Sequence, residues 1–140
     1  MKKIFILLLL LANILFASSN AVEAKIYDSI FSAIFPHKNI VRVWVDKESK
    51  KTVLERIKNI KVVTSSLEAD ICLVFKSKNI ETNKVIFVGS YALLKYYKES
   101  TIGGFFWQKG RPNILFLKNN LDKYNVKLPA KFSKYVESSL

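Results

Sequence analysis

The side chains that could make or break bonds are few in this 140-residue chain, and they stand far apart. There is one histidine, His37, and one cysteine, Cys72. A single Cys excludes an intramolecular disulfide, and one Cys with one His excludes a closed four-ligand Cys/His zinc site. His37 falls between Pro36 and Lys38, with no Ser or Cys motif for it to activate, and reads as an ordinary loop histidine. Cys72 lies within an apolar run, where a thiol behaves as a small buried hydrophobe with a raised pKa. Glu68, Asp70 and Glu81 flank that run, but no two carboxylates share a spacing suited to acid–base work. They read as solvated caps at strand ends. No catalytic, metal-binding or cofactor-binding set emerges, which points away from an enzyme.

Two constellations carry more. Gly89-Ser90 closes one apolar run and opens a helical pattern, which places backbone N–H groups where an anion or small ligand could dock. A phosphate loop wants several glycines and a Lys, so Ser90 also reads simply as a helix cap. The densest set is Ile102 to Asn113, IGGFFWQKGRPN. Side chains alternate along a strand, so Phe105 and Trp107 share one face and Phe106 takes the other. Lys109 and Arg111 stand beside Trp107 at what reads as a hairpin tip. Exposed aromatics next to cations are the makeup of an interface anchor. Phe106, Trp107, Lys109 and Arg111 are therefore the expected partner-contact residues, with Trp107 as the anchor.

These residues need elements to hold them. Met1-Lys2-Lys3, an apolar core from Ile4 to Phe16 and small residues from Ala17 to Ala21 form a secretory signal peptide pattern, too short to span a bilayer. A leader at 1–21 and one domain at 22–140 are expected, with cleavage after Ser19, Ala21 or Ala24. Losing Lys2 and Lys3 leaves 21 basic against 11 acidic residues. Half of the chain is apolar, which excludes wholesale disorder. Ile26 to Phe35 places apolar residues in adjacent i, i+4 rows and reads as a helix ended by Pro36. Ile40 to Val45 reads as a strand and Asp46 as the cap of a helix bearing Val53, Leu54 and Ile57. Lys61 to Val63 reads as a short strand. Ile71 to Phe75 and Val85 to Val88 are unbroken apolar, the mark of strands covered on both faces.

A helix over Tyr91 to Tyr97 and strands at Ile102 to Trp107 and Asn113 to Leu117 follow, then a helical turn and a closing helix from Ala130 to Ser138 behind Pro129. The expected fold is a single small α/β domain, with a mainly parallel central sheet flanked by helices, a C-terminal β-hairpin and a closing helix.

The lysines are dispersed and no basic run reaches five residues. Such dispersal fits solubility or attraction to an anionic membrane surface better than sequence readout of nucleic acid, which is not expected as a partner. A homodimer is left open.

The stretch Ala69 to Phe75, then Val85 to Gly89, then Ile102-Gly103-Gly104-Phe105-Phe106, then Ile114-Leu115-Phe116 with Asn119, resembles the YfiR-like family. The resemblance covers about Ile40 to Tyr135, with Cys72, Gly103, Gly104, Phe116 and Asn119 on the matching positions. It implies an exported, non-enzymatic periplasmic protein that binds the periplasmic part of an inner-membrane diguanylate cyclase and holds it inactive. Members that respond to redox use paired cysteines. This chain has one, so a disulfide switch is not carried over. The alternative reading is a periplasmic module that binds an anion, a small ligand or nucleic acid.

Overall fold

The computed structural model describes residues 19–140. The core of the expected leader lies outside them; within them, residues 19–34 are helical (α1). Then come β1 (Val41–Val45), α2 (Glu48–Glu55), β2 (Ile60–Val62), a 3-10 turn (Ser66–Glu68), β3 (Ile71–Val74), β4 (Val85–Val88) and α3 (Tyr91–Tyr96). They are followed by β5 (Thr101–Gln108), β6 (Arg111–Leu117), α4 (Lys118–Lys123), a 3-10 helix (Ala130–Tyr135) and β7 (Val136–Glu137). The strands form one sheet in the order β2-β1-β3-β4-β5-β6-β7. The first five positions of that order are parallel, β6 runs antiparallel to β5, and β7 runs parallel to β6. This is the small, mainly parallel α/β architecture that the apolar runs imply.

Alternation along each strand feeds two cores. Ile71, Leu73, Val85 and Phe87 face α1 and α2, together with Val43, Leu54 and Phe116. Cys72, Val74, Ile86 and Val88 face α3, together with Leu93, Leu94 and Tyr97. Every residue of β3 and β4 is buried, as unbroken apolar strands require. On α1, Tyr27, Ile30, Phe31 and Ile34 form the buried stripe, and the Tyr27 ring meets Phe105 edge-on at 5.2 Å between centroids. Burying each such side chain contributes about 1.5–3 kcal/mol.

The glycine pair in β5 has a packing reason on each side. A Cβ on Gly103 would lie 2.2 Å from the Leu115 carbonyl oxygen of β6, and one on Gly104 would lie 2.9 Å from Val88 of β4. Two large side chains there would force the strands apart. Just before the pair, the β4–β5 register shifts by one residue. The Thr101 hydroxyl serves the irregularity, lying 2.8 Å from the carbonyl oxygens of both Ile86 and Gly103.

Several expectations are corrected. Ile40 is 56% exposed and precedes the first strand. The loop between β5 and β6 is two residues, not five, because Gln108 and Arg111 pair within the ladder. The closing helix is of the tighter 3-10 kind and stops at Tyr135, where the chain turns extended to pair Val136 with Phe116. Asp46 does not cap α2, whose N-cap is Lys47 with no side-chain bond.

Candidate functional site

The hairpin β5–β6 turns on Lys109 (φ 52°) and Gly110 (φ 73°). Two consecutive positive φ values make the turn type whose twist matches the flanking strands. Val88, the last residue of β4, pairs with Gly104, and β7 covers only Phe116 and Leu117 of β6. Beyond those points, from Phe105 to Gln108 and from Arg111 to Leu115, the two strands pair only with each other among the described residues. The hairpin therefore projects from the sheet as a two-stranded arm.

Along the arm, burial fades toward the tip. Phe105 is 2% exposed, Phe106 is half-buried and Trp107 is 43% exposed. The Trp107 ring leans on Phe105 with centroids 5.7 Å apart, while Phe106 meets Tyr91 of α3 at 6.0 Å on the other face. Lys109 and Arg111 are exposed, and no carboxylate of the described residues lies within ion-pair distance of either. All four expected contact residues thus lie on one arm: a supported, exposed indole with two unpaired cations at its end and Phe106 behind it. Pro112 opposite Trp107 belongs to a pair that does not exchange ladder bonds, counting from the turn, so its missing N–H faces the open edge and blunts it.

Gly89 and Ser90 stand elsewhere, at the end of β4. The Ser90 Oγ accepts the Leu93 N–H at 3.2 Å and caps α3. A Cβ on Gly89 would lie 2.2 Å from the Phe75 ring. That glycine is explained by close packing, and α3 is only six residues long.

In a sheet of order 2-1-3-4-5 the ligand crevice opens at the carboxyl ends of the two strands where the order reverses, here β1 and β3. Asp46 directly follows β1 and Phe75 directly follows β3. The Asp46 carboxylate accepts the backbone N–H groups of Phe75 (2.7 Å), Lys76 (3.1 Å) and Ser77 (2.7 Å). Three successive N–H groups are what an anion would seek. They are taken by the protein's own carboxylate. Burial acts to raise the Asp46 pKa, but these donors together outweigh it and hold the carboxyl below its ordinary value. Lys47 and Lys50 then lie over the Phe75 ring at 5.8 and 5.4 Å.

Asp70 departs from its expected role. It is buried, accepts the Arg42 N–H at 2.8 Å, and lies 3.3 Å from the Lys38 ammonium. Burial pushes its carboxyl up, and the Arg42 N–H with the two cations brings it below the usual range. Burial pushes the Cys72 thiol up. His37 is exposed in the turn after α1. Asn119 is exposed, whereas its neighbour Asn120 is buried and donates to the Lys98 and Thr101 carbonyls at 2.8 and 2.7 Å. Among the described residues no three His, Cys, Asp or Glu side chains are grouped to hold a metal. No helix among them is long and apolar enough to cross a membrane.

No family model matches the chain, and no curated protein matches it either.

Proposed function

We propose that this chain is an exported, non-enzymatic regulatory or adaptor protein. In this reading it acts in the periplasm by binding the periplasmic part of an inner-membrane signalling protein of the diguanylate cyclase type. The contact is made by the hairpin arm, with Trp107 as anchor and Phe106, Lys109 and Arg111 around it. The observation that carries the reading is an indole 43% exposed on a projecting arm, braced by Phe105 and followed by two unpaired cations. Export rests on the leader pattern and the partner class on the YfiR-like resemblance. A protein that holds a membrane receptor in one arrangement needs a surface with different affinity for its two states, and a rigid aromatic anchor supplies one.

Crosslinking and pull-down from envelope fractions test this directly. The tagged protein is expected to recover a membrane protein with a periplasmic sensor and a cytoplasmic output domain. Trp107→Ala is expected to keep the fold and weaken that binding by about 2 kcal/mol or more. Unchanged capture by the Trp107→Ala protein would overturn the assignment of the arm. Polyanion binding is separable by salt, because it weakens steeply and log-linearly as ionic strength rises, while an aromatic-anchored contact does not.

A further inference from the structure

Between α1 and the closing 3-10 helix runs an open groove of about 370 Å³. Its floor is apolar, built from Ile26 and Ile30 of α1, Ile114 of β6 and Phe132 of the 3-10 helix. Lys25, Lys131 and Lys134 line it, and it has no carboxylate in its lining. Among the described residues no carboxylate lies within ion-pair distance of these three lysines. Two of the ammonium groups lie instead over aromatic rings at the groove, Lys131 over Phe132 at 5.3 Å and Lys134 over Tyr135 at 5.1 Å. Asp28 lines an adjoining depression that Lys25 and Lys131 also border, and it accepts from the Ser32 hydroxyl at 3.5 Å. The volume falls in the range of small-molecule clefts, and the pattern of apolar floor with a few convergent cations sets the chemistry of what fits.

We propose that this groove binds a free single-chain amphiphile with a carboxylate head, of the fatty-acid class. The chain lies along the isoleucines and Phe132. The head group meets the lysines, which the fold leaves without an internal counter-ion. Three ammonium groups around an apolar floor with no carboxylate in the lining call for a negatively charged head on an apolar chain. This site does not depend on the contact proposed for the hairpin arm.

Calorimetric titration of the purified protein with laurate, below its micellar concentration, is the test. Saturable one-to-one binding is expected, with dodecyltrimethylammonium, which has the same chain and the opposite charge, at least about tenfold weaker. The exposed double variant Lys131→Ser, Lys134→Ser is expected to weaken laurate by at least about tenfold. Ser29→Trp, which fills the groove from α1, is expected to abolish binding; should it misfold, Val22→Asp at the exposed rim replaces it and is expected to weaken binding clearly. Equal affinity for the two amphiphiles, or wild-type laurate binding in the variants, would overturn the proposal. So would binding to phosphatidylglycerol vesicles that laurate does not compete and Ser29→Trp does not disturb, which would assign the lysines to a membrane surface.

Discussion

At Asp46 one carboxylate satisfies three consecutive N–H groups that no other described side chain serves, and it does so across the reversal point of the sheet. Replacing it by Ala leaves those donors to water or unpaired, and Asp46→Ala is expected to cost roughly 3 kcal/mol in urea unfolding. Asp46 and Asp70 are both held below the ordinary carboxylate range, so their contribution is complete above the unfolded pKa of about 4 and is lost as pH falls through the folded values. The urea midpoint is therefore expected to drop from about pH 5 downward, and less steeply in an Asp46→Asn, Asp70→Asn protein. Neither role was legible in the sequence. Asp46 meets its donors 29 to 31 residues away, and a local reading could offer it only the helix that follows. Asp70 reads as a strand-end cap because its cations come from afar, Arg42 from β1, which is adjacent only in space, and Lys38 from the loop before it.

The hairpin and its glycines set the expectations for single elements. Gly103→Ala places a Cβ against a backbone oxygen that cannot swing aside, and a loss of more than about 3 kcal/mol is expected. Gly110→Ala meets nothing within 4 Å, and only its positive φ penalises it, by about 1 kcal/mol. Thermal unfolding of the two variants side by side separates steric from conformational cost. The strands were legible because β-branched and aromatic runs are dense where both faces are covered, as in Ile71 to Val74 and Val85 to Val88. The hairpin is legible from a Gly-containing loop between two β runs, but its turn is two residues and not five. Arg111 and Pro112 look like loop residues, and Lys109 gives no sign that it will adopt a left-handed backbone. Two residues have no period, so Val136-Glu137 reads as a continuation of the helix before it, although pairing with β6 decides its conformation.

For the molecule as a whole, α1 is bound into the domain from its first turns. Glu23 is 5% exposed and paired with Lys50 of α2, and Ala24 is part of the core. If the protein is exported as proposed, a cut after Ala24 would strip Glu23 away and leave Lys50 without its counter-ion, a change that costs several kcal/mol where a pair is buried. The exported form is therefore expected to begin at Asn20 or Val22, and intact-mass measurement of periplasmic material checks it. A mass beginning at Lys25 would show that the pair is dispensable. The arm that bears Trp107 is anchored differently, since its outer residues touch the sheet only at their roots. Such a layout separates two kinds of selection. If the arm makes the proposed contact, changes at the tip among residues 107, 108, 111 and 112 can retune which surface is recognised at little cost to folding, while Lys109 and Gly110 are held by their positive φ. In a saturation library those four positions are expected to tolerate replacement when soluble expression is scored and, on the proposed reading, to resist it when capture of the membrane partner is scored.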